Sequence, residues 1–179
     1  MKRYLWILAV VVLAATGAAW ASSVSVTVSQ WATDHAGDDS GLGFKLGLSA
    51  TPNVDIEVRV AFFDMLLAEG PEVFEVEAFP VELGLSYNFR VSDKANPYVG
   101  GGVGYYELDA KGPELPGEFG WYLVGGIDVP ISKNWLVFAE GLYRQVEAQA
   151  ESDDLGRSLI KQELNLSGAA FNLGIGIRW

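Results

Sequence analysis

The sequence contains no cysteine and a single histidine, His35, so several chemistries drop out at once. Without thiols there is no disulfide framework, no thiolate metal centre and no lipobox cysteine for a lipid anchor. Basic residues are also scarce: 12 Lys and Arg face 23 Asp and Glu, for a formal charge of −11. A chain this acidic has no electrostatic footprint for nucleic acid. Beyond residue 21 there is also no apolar run of the roughly 20 residues that a membrane-spanning helix needs.

The one continuous apolar stretch lies at the amino terminus and reads as a secretion address. Lys2 and Arg3 supply a positive start, residues 4–15 an apolar core, and Ala19-Trp20-Ala21 small residues at the two positions a signal peptidase reads. The expected division is a cleaved signal peptide over 1–21 and a single domain over 22–179. Losing Lys2 and Arg3 takes the formal charge from −11 to −13.

What the chain has in abundance is alternation. Eight runs place apolar residues on one face and small or polar residues on the other, at 23–31, 42–50, 54–63, 78–90, 98–106, 121–129, 135–145 and from about 167 to the end. In the third, Val54, Ile56, Val58, Val60 and Phe62 oppose Asp55, Glu57, Arg59, Ala61 and Phe63. In the fourth, Phe79, Val81, Leu83, Leu85, Tyr87 and Phe89 oppose Pro80, Glu82, Gly84, Ser86, Asn88 and Arg90. Pro80 removes a ladder donor, which predicts a bulge or a frayed strand end there. The joins alternate between short turns (51–53, 91–97, 130–134) and longer acidic segments (32–41, 64–77, 107–120, 146–166). That asymmetry, with an even strand count, predicts an all-β, eight-stranded antiparallel up-and-down transmembrane β-barrel.

A period of two does not say which face points inward, and a soluble lipocalin-like barrel shows the same alternation. Glycines decide for the membrane: Gly43, Gly47, Gly84, Gly100, Gly102, Gly104, Gly126, Gly174 and Gly176 sit on the polar face, where a narrow lumen needs small residues. Aromatics on the apolar face, among them Phe62, Tyr105, Trp121, Trp135, Tyr143, Phe171 and Trp179, lie toward strand ends as interfacial girdles do. The polar face then puts nine charges in the lumen, namely Lys45, Asp55, Glu57, Arg59, Glu82, Asp128, Glu140, Arg144 and Arg178. Buried charges must be paired, so this near-balance predicts an internal ion-pair network rather than a channel lined by one sign.

The final strand alternates Phe171, Leu173, Ile175, Ile177 and Trp179 with Asn, Gly, Gly and Arg. This stretch resembles the carboxy-terminal assembly signal of bacterial outer-membrane barrels, except that Ile177 stands where Tyr or Phe is commoner. Together with Asn96-Pro97-Tyr98-Val99-Gly100-Gly101-Gly102-Val103-Gly104-Tyr105, residues 125–135 and Ala139-Glu140-Gly141-Leu142-Tyr143-Arg144, it makes the chain similar to the OmpA-like family of small outer-membrane barrels. The resemblance implies a location in the outer membrane, contact with its lipid and lipopolysaccharide, insertion by the β-barrel assembly machinery, and a monomer. It implies no cofactor and, since members include adhesins, stability proteins and small porin-like proteins, no single function.

Two patterns could carry chemistry. His35 lies near Ser40 in the first long join, and outer-membrane lipid A-modifying enzymes use His with Ser. The candidates share one short loop rather than rigid strands, so a solvated histidine and no enzyme is the expectation. Asp34, Asp38, Asp39, Glu151, Asp153 and Asp154 could bridge divalent cations to lipid phosphates, and Lys111, Arg157 and Lys161 could pair with those phosphates. Their spacing lacks a calcium loop, so no metal is expected. The leading function is an envelope or surface role with a plugged lumen; the alternative is a narrow porin-like channel.

Overall fold

The computed structural model describes residues 21–33, 37–69, 72–92, 94–110, 117–150 and 162–179. All of its regular structure is β: β1 (Ala21–Thr33), β2 (Gly37–Thr51), β3 (Val54–Glu69), β4 (Glu72–Asn88), β5 (Asn96–Ala110), β6 (Glu118–Pro130), β7 (Trp135–Ala150), β8 (Gln162–Asn165) and β9 (Gly168–Arg178). Every neighbouring pair is antiparallel, and sequential strands from β1 to β8 lie side by side. β1 pairs with β2 on one edge and with β9 on the other, from Ser23 opposite Arg178 to Thr33 opposite Gly168. The sheet is therefore closed, and the barrel has eight staves, since β8 and β9 together form the last one.

The break in that last stave is local. β9 pairs Gly168 with Arg144, β8 pairs Asn165 with Glu147, and the register is the same on both sides. Between them the Ser167 hydroxyl takes over from a ladder group, accepting from Val146 N at 3.1 Å and donating to Val146 O at 3.3 Å.

Register sets direction. On β1, Ser25, Thr27, Ser29 and Trp31 point into the lumen while Val26 and Val28 face outward, and the same in-out rhythm runs round the barrel. The outer face is apolar and open, with Val103 61%, Leu123 57% and Leu173 53% exposed. Leu46, Val60 and Phe79 are little exposed, yet their register places them on this outer face beside Leu42 and Leu83. Aromatic pairs sit along it, including Trp121 with Tyr143 at 6.0 Å and Tyr105 with Phe119 at 5.2 Å between ring centroids.

The strands are longer than the alternation alone indicates. Much of the expected long join at 64–77 is strand, with β3 and β4 paired as far as Glu69 opposite Glu72, and β7 runs on to Ala150. Backbone pairing is not restricted to residues with an alternating pattern, so these joins are hairpins that prolong the barrel wall. Pro80 produces neither bulge nor frayed end. The β3–β4 ladder lapses around Ala61, Phe62, Phe79 and Pro80 and then resumes in unchanged register, while Pro80 stays opposite Tyr106 of β5.

Lumen glycines make space for rings from nearby strands. A Cβ at Gly84 would strike the Tyr122 hydroxyl and lie 2.5 Å from the Gly101 carbonyl oxygen; one at Gly126 would lie 2.5 Å from the Tyr98 ring. Gly141 on the outer face has nothing within 4 Å of that position. Gly84→Ala should therefore cost about 1–3 kcal/mol through overpacking, and Gly141→Ala should leave the barrel unchanged or slightly stabilised. Urea midpoints of the two variants, measured by loss of the heat-modifiable gel form, check this.

Candidate functional site: a plugged lumen

Two tiers of buried charge cross the middle of the barrel. In the lower tier β3 projects Glu57 and Arg59 inward at adjacent lumen positions, β2 contributes Lys45 and β7 contributes Glu140. Arg59 grips Glu140 in a bidentate pair, Nη1 to Oε1 at 2.5 Å and Nη2 to Oε2 at 3.1 Å, and reaches Glu57 at 2.6 Å through Nη2. Glu140, 1% exposed, is the hub: it also accepts from Lys45 Nζ at 3.2 Å, Tyr98 Oη at 2.5 Å and Asn172 Nδ2 at 2.8 Å. Asn172 in turn accepts from Ser29, and Glu57 accepts from Ser86 at 3.1 Å. Two acids and two bases make this tier neutral, as an ionised cluster out of water must be.

The upper tier is a single pair. Arg144 Nε donates to Glu82 Oε1 at 2.7 Å and Nη2 to Oε2 at 3.3 Å, and Tyr106 donates to the same carboxylate at 2.9 Å. The Arg144 guanidinium lies 4.8 Å from the Trp31 ring, with Phe63 packed edge-on against that ring at 5.3 Å. Above the pair, Trp31, Phe63, Leu108, Val146 and Leu166 are buried and, with the Tyr106 ring, fill the lumen with largely apolar side chains. Between the tiers remains a cavity of about 20 Å³ edged by Thr27, Lys45, Arg59, Glu82 and Arg144, enough for about one water.

Below the lower tier, Lys45 Nζ stands 3.8 Å over the Phe138 ring, and Phe138 and Leu136 lie buried on the β7 lumen face. Beyond them the barrel opens at its short-turn rim into a vestibule of about 1020 Å³. The lumen is thus a wide polar mouth, two neutral charged tiers and an apolar cap.

Six of the nine expected lumen charges meet in the tiers: Lys45, Glu57, Arg59 and Glu140 in one, Glu82 and Arg144 in the other. The other three stand apart. Asp55 is held at the rim by Ser49 at 2.6 Å and Asn88 at 2.8 Å, and Asp128 and Arg178 line the vestibule. Phe171, Leu173, Ile175 and Ile177 face outward on β9, and Trp179 is exposed at the vestibule mouth. His35, Asp34, Lys111, Glu151, Asp153, Asp154, Arg157 and Lys161, together with the amino-terminal segment 1–20, lie outside the described residues.

Several lumen residues do not stand out as a site in the sequence: Tyr98, Tyr106, Tyr122, Trp31 and Asn172. Their phase could have found them, since Tyr98 and Tyr106 keep step with Gly100, Gly102 and Gly104, and Trp31 with Ser25, Thr27 and Ser29. A lumen formed of glycine needs rings elsewhere to fill it.

A closed eight-stranded sheet with an apolar belt outside and paired charges inside is the construction of a bacterial outer-membrane barrel. The sequence profile described as "Outer membrane protein beta-barrel domain" matches residues 6–178, and the chain belongs to that family; its strands are transmembrane strands of the outer membrane. No curated protein matches in sequence. Among solved structures the chain is similar to the outer membrane protein OprG from Pseudomonas aeruginosa, at 16% identity and a TM-score of 0.76 over 89% of this chain and 97% of that one. It is also similar to E. coli outer membrane protein W, at 20% identity and a TM-score of 0.63 over 90% and 100% of the two chains. For Neisserial surface protein A the values are 10% identity and a TM-score of 0.67 over 90% and 98%. At such identities the likeness is one of fold.

Removing one partner of a buried pair strands the other charge, so Arg144→Ala should cost about 3 kcal/mol or more. The double variant Arg144→Met/Glu82→Met should recover much of that loss. A double-mutant cycle on urea unfolding in detergent reads the coupling, and strictly additive losses would show that the two side chains do not act as a pair.

Proposed function

We propose that this protein is a closed outer-membrane barrel with a structural or surface-contact role, working through its prolonged hairpins rather than through a pore or a catalytic centre. The observation that carries this reading is the stacking of two neutral tiers, Arg59–Glu140 with Lys45 and Glu57 below Arg144–Glu82, under an apolar cap. An ion crossing this lumen would have to separate buried pairs or displace packed rings, and both are costly. In planar lipid bilayers the purified barrel should carry little or no steady current. A sustained current at modest voltage would replace this reading with a narrow porin-like conduit, the alternative that the vestibule of about 1020 Å³ favours. Lipid A mass profiles with and without the gene test the enzyme reading; a change that depends on His35 would establish it.

The reading includes a cleaved signal peptide, a monomer surrounded by lipid and lipopolysaccharide, and insertion by the β-barrel assembly machinery. Trp179 suits two roles here, anchoring the closing stave at the interface, where an indole keeps its ring in lipid and its N–H wet, and serving as the residue read during insertion. Deleting Trp179, or changing Ile175 and Ile177 to Asp on the outward face, should leave secretion intact and lower the yield of heat-modifiable protein in outer-membrane fractions. A normal yield from both variants would remove the assembly role of this stretch.

A further inference from the structure

The vestibule at the short-turn rim is a built cavity, and its chemistry is two-sided. Its volume, about 1020 Å³, is at the upper end of small-ligand sites, and it is blind, because Leu136, Phe138 and the lower tier close its inner end. Arg90, Lys133 and Arg178 line it, and none of them forms an ion pair among the described residues. On the wall opposite in charge, Asp55 is already occupied by Ser49 and Asn88. Asp128 is different: the residue lines the same cavity, and its Oδ1, tucked into the wall, has no donor among the described residues. A buried carboxylate oxygen without a donor is costly unless something supplies one.

The backbone positions of this carboxylate and of Arg178 are set apart along the wall. Asp128 pairs with Phe138, and Phe138 pairs with Gly174, four residues from Arg178 along β9; at strand rise that is about 13 Å along the strand direction, and the two strand-to-strand steps of about 4.8 Å each bring the backbone separation to roughly 16 Å. An extended tripeptide spans about 10 Å, and the long arginine side chain covers the remainder.

We infer that this vestibule binds short zwitterionic peptides from the periplasm, with Asp128 receiving the terminal ammonium group and Arg178, aided by Arg90 and Lys133, receiving the carboxylate. The polar lining supplied by Ser23, Ser49, Asn88 and Asn96 suits a peptide backbone, which needs both donors and acceptors along its length. The inference rests on the closed-lumen reading in one respect, that the short-turn rim faces the periplasm and the cavity ends at the charged tiers.

Three probes separate the charges: trialanine, its N-acetyl derivative and its carboxy-terminal amide. Calorimetric titration of the intact barrel in detergent should give saturable binding of trialanine, and each capped peptide should bind about tenfold more weakly, the loss of one charge-assisted hydrogen-bonding group. Asp128→Asn should abolish the difference between trialanine and its N-acetyl form while keeping the preference over the amide. Arg90→Gln/Arg178→Gln should do the reverse. Each variant's heat-modifiable gel form confirms that it is folded. Equal affinity for all three peptides, no saturable heat with any of them, or discrimination that persists in both variants would overturn the inference. Conductance reads the plug independently, so a barrel that conducts and still discriminates the peptides would overturn only the closed-lumen reading.

Discussion

The constraint on which the rest depends is closure of β1 onto β9. In lipid a strand edge has no water to satisfy its N–H and C=O groups, so a sheet spanning the bilayer must have no edge at all. The ladder from Ser23–Arg178 to Thr33–Gly168 meets that demand along the whole of the shared wall. Closing with eight staves then fixes the interior at a width that side chains can fill. Once the ring is that narrow, whatever points inward is packed against its counterparts from the opposite wall, and the composition of the lumen face follows from sterics as much as from polarity.

This accounts for the division of labour between glycine and the large rings. Where β4, β5, β6 and β9 place Gly84, Gly104, Gly126 and Gly174 inward, Tyr122, Tyr106, Tyr98 and Phe138 occupy the space left free. The rings do more than fill it: Tyr98 and Tyr106 each donate to a tier carboxylate, and Phe138 and Trp31 lie against the cations. An ionised group between aromatic faces keeps part of its stabilisation when water is excluded. Glu140 illustrates the result, since its two oxygens receive donors from Arg59, Lys45, Tyr98 and Asn172 and none of its charge is left facing an empty lumen.

The barrel and the sign of its inner face were legible in the sequence because both follow from a period of two that extends across strands such as Val54–Phe62 and Phe79–Phe89. Strand length was less legible. The projecting hairpins are held by backbone pairing, and residues such as Met65, Leu66 and Leu67 break the alternation without breaking the ladder. The charged site was readable as a set of inward residues but not as two separate tiers, because partners such as Arg59 and Glu140 lie on β3 and β7 and are brought together only by closure. Nor does alternation distinguish Asp128 and Arg178, at the mouth, from charges a few residues deeper; that depends on where along each stave the lumen widens.

A buried ion pair is a weak source of stability, and an apolar filling of the same volume would often be as stable or more so. The apolar cap of Trp31, Phe63, Leu108 and Leu166 shows that this lumen accepts such a filling in its outer part. Charges in the middle therefore call for another physical reason, and register provides one. Slipping a strand by a single residue turns every side chain to the opposite face. If both faces of β3 were apolar, that slip would cost little in a surrounding of lipid. With Glu57 and Arg59 on one face it would push both into hydrocarbon, where an arginine near the midplane alone costs about 2–4 kcal/mol, and it would leave Glu140 without its main partner. The same holds for Lys45 on β2, Glu82 on β4 and Arg144 on β7, so the tiers penalise a slip on each strand that contributes to them. In this barrel the paired charges act as a lock on register, and the plugged lumen is what that lock looks like once the ring has closed.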